Sequence, residues 1–528
     1  MSIAKENPRA AFGTRRYGAS IALGLVSVAL AVSFGRKTAG IAIDDFYITY
    51  RYAWHLAHGD GLVFNLGERV FGLSNPGLAL ILAGLHWVTG ARIEILATIV
   101  FAASLLGIVG CLLRSAPDRD RWREILAGGV LLLSSPFVWK AQGSETAPAL
   151  FLLLASALFA ERRPILAGLL GGAAVWMRPD TGLGLAVLGL LLIRRPEPSS
   201  TPTETTSKTN ASALGEARRR LPWRWAIAAA VTILVGAGAA YSWFGTILPV
   251  TFESKRYLAE ISGGSGFLGR SFWGAGLSVW LQLSGAWGVA LLLFGLVELP
   301  EIYRRWGLCG RLLVGYGAVN ALVYPLFGVP FSIWYVFPFA AAILLGAGAA
   351  VPGTLRRAKE AHRDGRKTPY VLWAIAVLVV SWAVLLSIYW NLSWRDDFAE
   401  LPRQRAYEQA AQWIRQNSAP DESIAFGEIG VLGYESDRTV EDLMGLVTPR
   451  SLPYVAKRDL LGAFLAHPTP LVLFHTERRS TRPIVSQPWF HRAYREVARF
   501  PQNDGGGDVV VFRRIPGRSI PPPRPPRG

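Results

Sequence analysis

The stretch Ile41-Ala-Ile-Asp-Asp-Phe-Tyr-Ile-Thr-Tyr-Arg-Tyr52 follows directly on the first long apolar segment of the chain. It places two acidic side chains, Asp44 and Asp45, next to each other. A charged side chain at the centre of a bilayer costs about 2.5–3.5 kcal/mol on insertion scales. The pair therefore belongs at or outside the membrane surface, where two carboxylates can do acid–base chemistry.

The composition predicts a polytopic α-helical membrane protein. Of the 528 residues, 51% are hydrophobic and 17% are charged, and long apolar runs alternate with short arginine clusters. The formal net charge is +18, which in a soluble chain would suggest nucleic acid binding. Here much of the basic charge lies between apolar runs, so membrane topology explains it better. The only cysteines, Cys111 and Cys309, have no spacing typical of a disulfide framework, a metal site or a redox site.

Basic residues predict the orientation. Lys5, Arg9, Arg15 and Arg16 precede the first apolar run and indicate a cytoplasmic N-terminus. An arrangement of eleven spans also leaves the later arginine clusters in the cytoplasm. This predicts a multi-pass protein of the inner (cytoplasmic) membrane. The predicted spans are 19–35, 95–113, 124–140, 147–160, 164–178, 181–193, 225–243, 280–298, 311–328, 335–351 and 370–390.

The apolar segment 76–89 decides the number of spans. It is only 14 residues long, whereas crossing a bilayer takes about 20, so we interpret it as an interfacial or re-entrant helix. If it does cross, there are twelve spans, and the arginine-rich loop 114–123 faces outward against the positive-inside rule.

The chain divides into a membrane domain, residues 1–391, and a soluble part that follows it. The membrane domain contains a first outer loop at 36–94 and a Pro/Ser/Thr-rich segment at 196–222, which we expect to be a disordered cytoplasmic loop. Residues 392–515 are predicted to form a small extracytoplasmic α/β domain. The proline-rich basic tail, 516–528, is predicted to be disordered.

The expected elements of the α/β domain come from hydrophobic periodicity and turn signals. They are an amphipathic helix at Arg403–Gln416 and strands at Ser423–Phe426, Leu471–Phe474 and Asp508–Phe512.

Acidic and basic side chains near the outer ends of the predicted spans are expected to converge. Together they could hold an anionic headgroup against basic groups while a carboxylate takes a proton from an attacking hydroxyl. These residues are Asp44, Asp45, Glu145, Arg178, Asp180, Lys255 and Arg256.

Each of these residues also has a structural interpretation. The acid pair is typical of a solvated helix start, and Arg178 and Asp180 are compatible with an ion pair at the helix break made by Pro179. Lys255 could instead be a basic residue that extends towards a membrane interface.

The first outer loop resembles that of a known class of membrane enzyme. Asp44-Asp-Phe-Tyr-Ile-Thr-Tyr-Arg-Tyr52, Gly59-Asp-Gly-Leu-Val-Phe-Asn65 and Ser74-Asn-Pro76 look like the first loop of GT-C glycosyltransferases, most of all the mycobacterial terminal arabinofuranosyltransferase-like branch. Gly143-Ser-Glu-Thr146 and Arg178-Pro-Asp180 are similar to later short motifs of that branch. The segment from Trp413 to Asp442-Leu-Met-Gly-Leu446 resembles its outer C-terminal domain.

The resemblance implies a GT-C-like fold and an enzyme that uses a sugar on a polyprenyl phosphate. It assigns the role of base to Asp44, with Asp45 as helper or alternative. Arg51 and Tyr52 match the motif and join Glu145, Arg178, Asp180, Lys255 and Arg256 as residues expected to bind the donor phosphate or substrate. No cofactor is implied with certainty, and a divalent cation is left open.

The sequence therefore predicts a glycosyltransferase that acts on the outer face of the membrane, with inversion. The sugar is arabinofuranose or a hexose, and the acceptor is a hydroxyl of an envelope glycan, lipid or protein. Two alternatives stay open. The first is a lipid or polysaccharide transporter, which would have charged residues along a path through the membrane. The second is a non-catalytic glycan-binding assembly protein, which would bind its partner through residues 392–528.

Overall fold

The computed structural model describes residues 8–118, 121–193, 223–261, 270–285, 287–365, 370–397, 401–477, 482–502 and 506–526. Side chains are described for these residues except 8–19, 255, 256, 258–261, 391–397 and 401. The segment 196–222, predicted to be a disordered loop, lies outside the described residues.

Helices make up the described part of the membrane domain. In chain order they are α1 (Pro8–Thr38), α2 (Asp44–Ala57), α3 (Pro76–Thr89), α4 (Ile93–Ser115), α5 (Trp122–Ser134), α6 (Pro136–Trp139), α7 (Thr146–Phe159), α8 (Pro164–Met177), α9 (Thr181–Ile193), α10 (Trp223–Phe244), α11 (Val250–Ile261), α12 (Arg270–Ser284), α13 (Gly288–Arg305), α14 (Gly307–Leu326), α15 (Phe337–Arg363) and α16 (Tyr370–Asp397).

Six of the described helices are long and apolar enough to cross a membrane: α1, α4, α10, α14, α15 and α16. Helices α3, α7, α8 and α9 are apolar but have only 13 or 14 residues, short of the roughly 20 that a straight crossing needs. The protein is thus a multi-pass membrane protein, as predicted. The count of eleven spans stays a prediction.

The span predicted at 280–298 is not one straight helix. Helix α12 ends at Ser284, α13 begins at Gly288, and their axes differ in direction by 109°. Gly285 adopts φ +66°, a left-handed conformation that readily terminates a helix and that glycine adopts without strain. Counted as one bent span, the pair brings the number of candidate crossings to seven.

The C-terminal domain contains a mixed sheet of five strands, β1 (Ile424–Phe426), β2 (Val440–Asp442), β3 (Leu471–His475), β4 (Tyr494–Pro501) and β5 (Asp508–Arg514). Their order is β2-β1-β3-β5-β4. Strand β1 pairs in parallel with β2 and β3, while β5 is antiparallel to both β3 and β4. The three predicted strands lie within one residue of β1, within one residue of β3 and inside β5.

Helices surround this sheet. They are α17 (Leu401–Asn417), α18 (Gly430–Ser436), α19 (Leu452–Ala456), α20 (Leu460–Ala466), α21 (Arg482–Val485) and α22 (Phe490–Ala493). The apolar residues of α17 recur at helical spacing, with Tyr407, Ala411 and Ile414 fully buried, which explains why the predicted amphipathic helix packs on the sheet. A small α/β domain therefore follows the membrane helices, as predicted.

Residues 36–94, named the first outer loop after their predicted side of the membrane, share one hydrophobic core with the C-terminal domain. Tyr47 and Tyr50 of α2 and Leu82 of α3 belong to the same buried cluster as Ile424 and Leu432. The side chain of Asn65 also binds β2, because it accepts a hydrogen bond from the Val440 N–H and donates one to its carbonyl, both at 3.0 Å. The domain is thus fixed on the first outer loop.

The described part of the tail has defined contacts but no regular secondary structure. Arg524 forms an ion pair with Asp459 at 2.8 Å, and its carbonyl accepts a hydrogen bond from the hydroxyl of Tyr454 at 3.0 Å. Ile520 packs against the buried cluster that contains Phe464, Tyr494 and Phe512. Up to these residues the tail therefore lies along the domain.

Candidate active site

The acid pair begins helix α2. Ile43 has an extended backbone, and Asp44 and Asp45 form the first turn, where carboxylates interact favourably with the helix dipole. The Asp44 carboxylate accepts hydrogen bonds from two backbone N–H groups of the C-terminal domain, Gly430 at 3.0 Å and Val431 at 2.8 Å. Asp45 is exposed. The domain therefore contacts one member of the pair directly.

Only glycine fits at position 430. A Cβ atom there would lie 1.7 Å from the carbonyl oxygen of Asp44, far inside van der Waals contact with backbone. No local sequence pattern predicts this close contact, because the two residues are 386 positions apart.

Electrostatics make Asp44 unusually basic for a carboxylate. Burial is the largest cause and the negative charge of Glu428 the next, and together with Asp45 they raise the pKa of Asp44 to about 7. The hydrogen bonds from Val431 and Gly430 act in the opposite direction because they stabilise the ionised form. A carboxyl group with such a pKa is suited to accept a proton near neutral pH.

The guanidinium of Arg51 binds backbone carbonyls on both sides of the domain boundary. It donates to the carbonyl of Phe64 at 2.6 Å, to that of Arg438 at 2.7 Å and to that of Gly433. The group also lies 4.5 Å from the ring centroid of Phe64. All three kinds of guanidinium nitrogen, Nε, Nη1 and Nη2, thus have acceptors within the protein.

Tyr52 is likewise bound within the first outer loop. Its hydroxyl donates to the carbonyl of Val70 at 2.7 Å and accepts from the N–H of Gly72 at 3.1 Å. Burial raises its pKa, so the phenol stays neutral. In this arrangement Arg51 holds the loop and the domain together and Tyr52 stabilises the loop itself, and substrate binding by either residue stays a prediction.

Glu145, Arg178 and Asp180 do converge, in a buried network. Arg178 Nη1 lies 2.7 Å from Glu145 Oε1, and its Nε lies 2.8 Å from Asp180 Oδ1. Two carboxylates thus surround one guanidinium, so the trio carries one net negative charge. Such a group is a poor direct ligand for a phosphate, because the positive charge is already more than balanced.

Side chains that were not expected from the sequence complete this network. Tyr324 of α14 accepts from Arg178 Nη2 at 3.0 Å and donates to Asp180 Oδ2 at 2.8 Å, and Asn320 donates to the same oxygen at 3.0 Å. The ring of Tyr324 stacks on that of Tyr335, with centroids 4.3 Å apart. The end of α8 at Arg178 and the start of α9 at Asp180 are thereby hydrogen-bonded to α14.

Asn75 connects this network to the helix of the acid pair. Its side chain accepts from the Thr49 hydroxyl at 2.8 Å and donates to Glu145 Oε2 at 2.8 Å. Through Asn75, a continuous chain of hydrogen bonds joins the membrane helices to α2. It reaches α2 at Thr49, one helical turn beyond Asp45. Asn75 belongs to the Ser74-Asn-Pro76 motif noted in the sequence, but its role as a bridge between Thr49 and Glu145 was not predicted.

The basic residues Lys255 and Arg256 lie on α11, but their side chains are outside the described residues. The start of that helix is fixed, since the Val250 N–H donates to the Phe71 carbonyl at 2.9 Å. The Ser254 hydroxyl donates to the Met444 carbonyl at 3.0 Å. Helix α11 therefore runs between the first outer loop and the C-terminal domain.

A metal centre is not apparent among the residues that the structure describes. No group of three or more His, Cys, Asp or Glu side chains within those ranges is arranged to hold an ion. His55, on the helix of the acid pair, is buried, and its Nδ1 lies 2.9 Å from the Val63 carbonyl.

Comparisons with known proteins bear on this architecture. A family model described as a domain of unknown function, DUF8728, matches residues 395–512. None of the curated proteins matches the chain by sequence. Archaeal oligosaccharyltransferase AglB from Archaeoglobus fulgidus, solved with an inhibitory peptide and a dolichol-phosphate, matches with a TM-score of 0.53 and 12% identity, over 96% of this chain and 74% of that one. ArnT from Cupriavidus metallidurans, solved with undecaprenyl phosphate, matches with a TM-score of 0.51 and 12% identity, over 96% of this chain and 99% of that one.

The chain has the GT-C fold. Both matches cover nearly all of it, so the likeness includes the membrane helices and the domain that follows them. The predicted fold class is thus confirmed, while the arabinofuranosyltransferase-like branch stays a prediction. At 12% identity the likeness establishes the fold and leaves the substrates open.

Proposed function

We propose that this protein is a glycosyltransferase that moves a sugar from a polyprenyl phosphate to a hydroxyl group of a cell-envelope glycan, lipid or protein. One observation carries the proposal: in a GT-C fold, a carboxylate at the start of α2 has a pKa near 7 and lies where the first outer loop meets the C-terminal domain. The fold matches, solved with dolichol-phosphate and undecaprenyl phosphate, support the choice of donor class.

In the proposed reaction the acceptor oxygen attacks the anomeric carbon on the face opposite the phosphate. The bond between that carbon and the phosphate oxygen breaks, and polyprenyl phosphate departs with both bonding electrons. The acceptor proton passes to Asp44, with Asp45 as the alternative base. Attack from the opposite face inverts the anomeric centre.

The donor phosphate is assigned to Lys255 and Arg256. Helix α11 lies beside the first outer loop, and Arg178, the other basic candidate, is already paired with two carboxyl groups. Glu145, Arg178 and Asp180 are then assigned a supporting role, in which they fix the helix ends around the donor sugar.

The sugar and the side of the membrane are finer parts of the proposal. The sugar is proposed to be arabinofuranose or a hexose. The distribution of arginines favours an active site on the outer face of the inner membrane, with the C-terminal domain outside the cytoplasm.

The test uses the full chain in nanodiscs with a panel of polyprenyl-phosphate sugars and envelope acceptors. Wild type is expected to transfer one sugar, while Asp44→Asn, with unchanged abundance and unfolding temperature, is expected to lose at least a hundredfold in rate, in line with loss of a general base. Full turnover by a folded Asp44→Asn variant would contradict the assignment of the base. Lipid movement in liposomes without covalent transfer would favour a transporter instead.

A further inference from the structure

The C-terminal domain brings its own carboxylate to the acid pair. Glu428 lies two residues before Gly430, whose N–H binds Asp44, and its charge acts on Asp44 more strongly than that of the adjacent Asp45. We propose that Glu428 is a positioning residue of the catalytic centre that acts through Asp44. This rests on the proposed function, because it concerns how the same base is prepared for its task.

The geometry leaves little freedom between the two groups. Gly430 and Val431 bind separate oxygens of the Asp44 carboxylate, and a Cβ at Gly430 would overlap the Asp44 backbone. The segment that carries Glu428 is therefore fixed against the start of α2. A change in the charge of Glu428 reaches Asp44 without any movement of the domain.

Glu428 is itself held in place. The hydroxyl of Tyr407 on α17 donates to Glu428 Oε2, and the Tyr407 ring packs edge-on against Phe426 of β1. Within the described ranges, the titratable or charged groups at this site are Asp45 on α2, Glu428 on the segment after β1, Tyr407 and Arg403 on α17, and His475 on β3, whose ring lies edge-on to that of Tyr407. Asp45 and Glu428 add negative charge near Asp44, while Arg403 acts in the opposite direction on Tyr407.

The arrangement explains how a carboxylate with two backbone hydrogen bonds can still be a base near neutral pH. Two N–H donors alone would make Asp44 a weak base, since they stabilise its ionised form. Burial and, next to it, the negative charge of Glu428 offset these hydrogen bonds and raise the pKa of Asp44, which favours the protonated form. The proton from the acceptor hydroxyl then binds to Asp44, and no other bond at the two carboxyl groups changes.

The test compares the pH dependence of kcat/KM for wild type and Glu428→Gln. Removal of the negative charge is expected to shift the acid limb of the profile to lower pH by about one unit. The matched control is Glu496→Gln, which removes the same charge from an exposed ion pair with Arg499 elsewhere in the domain. That variant should keep the wild-type limb. Coincident limbs for wild type and Glu428→Gln would overturn the proposal.

A second measurement does not depend on turnover. Infrared spectra of the full chain in nanodiscs are recorded against pH, and the band of the protonated Asp44 carboxyl is identified by its absence in Asp44→Asn. The band should titrate at lower pH in Glu428→Gln, and identical titration would overturn the coupling. If no sugar is transferred but the band shifts, the proposed function fails while the coupling of the two carboxyl groups stands.

The conservative variant Glu428→Asp covers the case in which Glu428→Gln does not fold. It keeps the charge but shortens the side chain, so the acid limb should stay within a few tenths of a pH unit of wild type while kcat falls. If the acid limb of Glu428→Asp moved to lower pH by the shift expected for Glu428→Gln, the charge of Glu428 would not be the cause of that shift.

Discussion

Arg51→Lys decides between the two roles that the sequence and the structure give to Arg51. The motif places this residue among those expected to bind substrate, whereas its guanidinium binds the carbonyls of Phe64, Gly433 and Arg438. Burial lowers the pKa of Arg51 to about 10, so the group is still charged at neutral pH. Lysine keeps that charge but lacks the planar fork that reaches three acceptors at once.

The expected cost follows from the bonds that lysine cannot form. At least two of the three buried carbonyls lose their partner, and a hydrogen bond from a charged donor contributes about 1.5–3 kcal/mol. We therefore expect the free energy for opening the contact between the first outer loop and the C-terminal domain to fall by about 3 kcal/mol. Amide groups that exchange only when this contact opens should then exchange roughly a hundredfold faster.

Hydrogen exchange on the protein in nanodiscs measures this effect. Peptides that contain Gly430 and Val431 should lose protection in Arg51→Lys, because their N–H groups lie at the same contact. Arg499→Lys makes the same substitution in an exposed ion pair and should leave exchange of these peptides unchanged. Unaltered protection in Arg51→Lys, together with a raised KM for the sugar donor, would refute the anchoring role and support substrate binding.

Three further predictions concern the base and the network behind it. Asn75→Ala removes the hydrogen bond to Glu145 and leaves buried polar groups unpaired, so the free energy of unfolding should fall by about 2 kcal/mol and kcat should fall as well. Thermal unfolding and transfer assays measure the two effects. Asn75→Asp should restore neither, because it adds a carboxylate beside Glu145. Tyr324→Phe keeps the aromatic ring but loses the hydroxyl between Arg178 and Asp180; a cost of about 1 kcal/mol is expected, and wild-type stability would show that the hydroxyl contributes nothing. For the wild type, the transfer rate should increase as the pH rises through about 7, because Asp44 ionises there. Folding raises the pKa of Asp44 from 3.8, so the free energy of unfolding should decrease as the pH rises from about 4 to 7. A transfer rate that is flat from pH 5 to 8 would contradict the assignment of the base.

Hydrophobic pattern predicted the elements that are long or strictly periodic. The amphipathic helix at Arg403–Gln416 and the strand at Leu471–Phe474 match the structure within two residues at each end. Strand β2 was missed because two of its three residues, Glu441 and Asp442, are acidic. Strand β4 was missed because charged residues and a bulge between Glu496 and Ala498 interrupt its alternation. The strands that were found are those buried as continuous apolar runs.

The site was predictable only in its local part. The acid pair stands out because carboxylates are costly near a membrane, and that argument needs no knowledge of distant contacts. Gly430 and Glu428 could not be identified in the same way, because no local sequence pattern marks them; Gly430 and its partner Asp44 are 386 positions apart. For Arg51 the acceptors are backbone carbonyls, which have no signature in sequence.

Helix α2 is held at three points, and this bears on how variants of the site should be interpreted. The C-terminal domain binds its first residue, Asp44, and its second turn at Arg51, while the membrane helices reach it through Thr49 and Asn75. A base on such an element is placed by contacts that never touch the substrate. Loss of any one attachment should therefore reduce kcat through misplacement of the carboxylate while KM for the donor stays nearly constant, whereas loss of a true donor ligand should raise KM. The ratio of these two effects, measured for each attachment, separates the residues that build the site from those that bind the lipid.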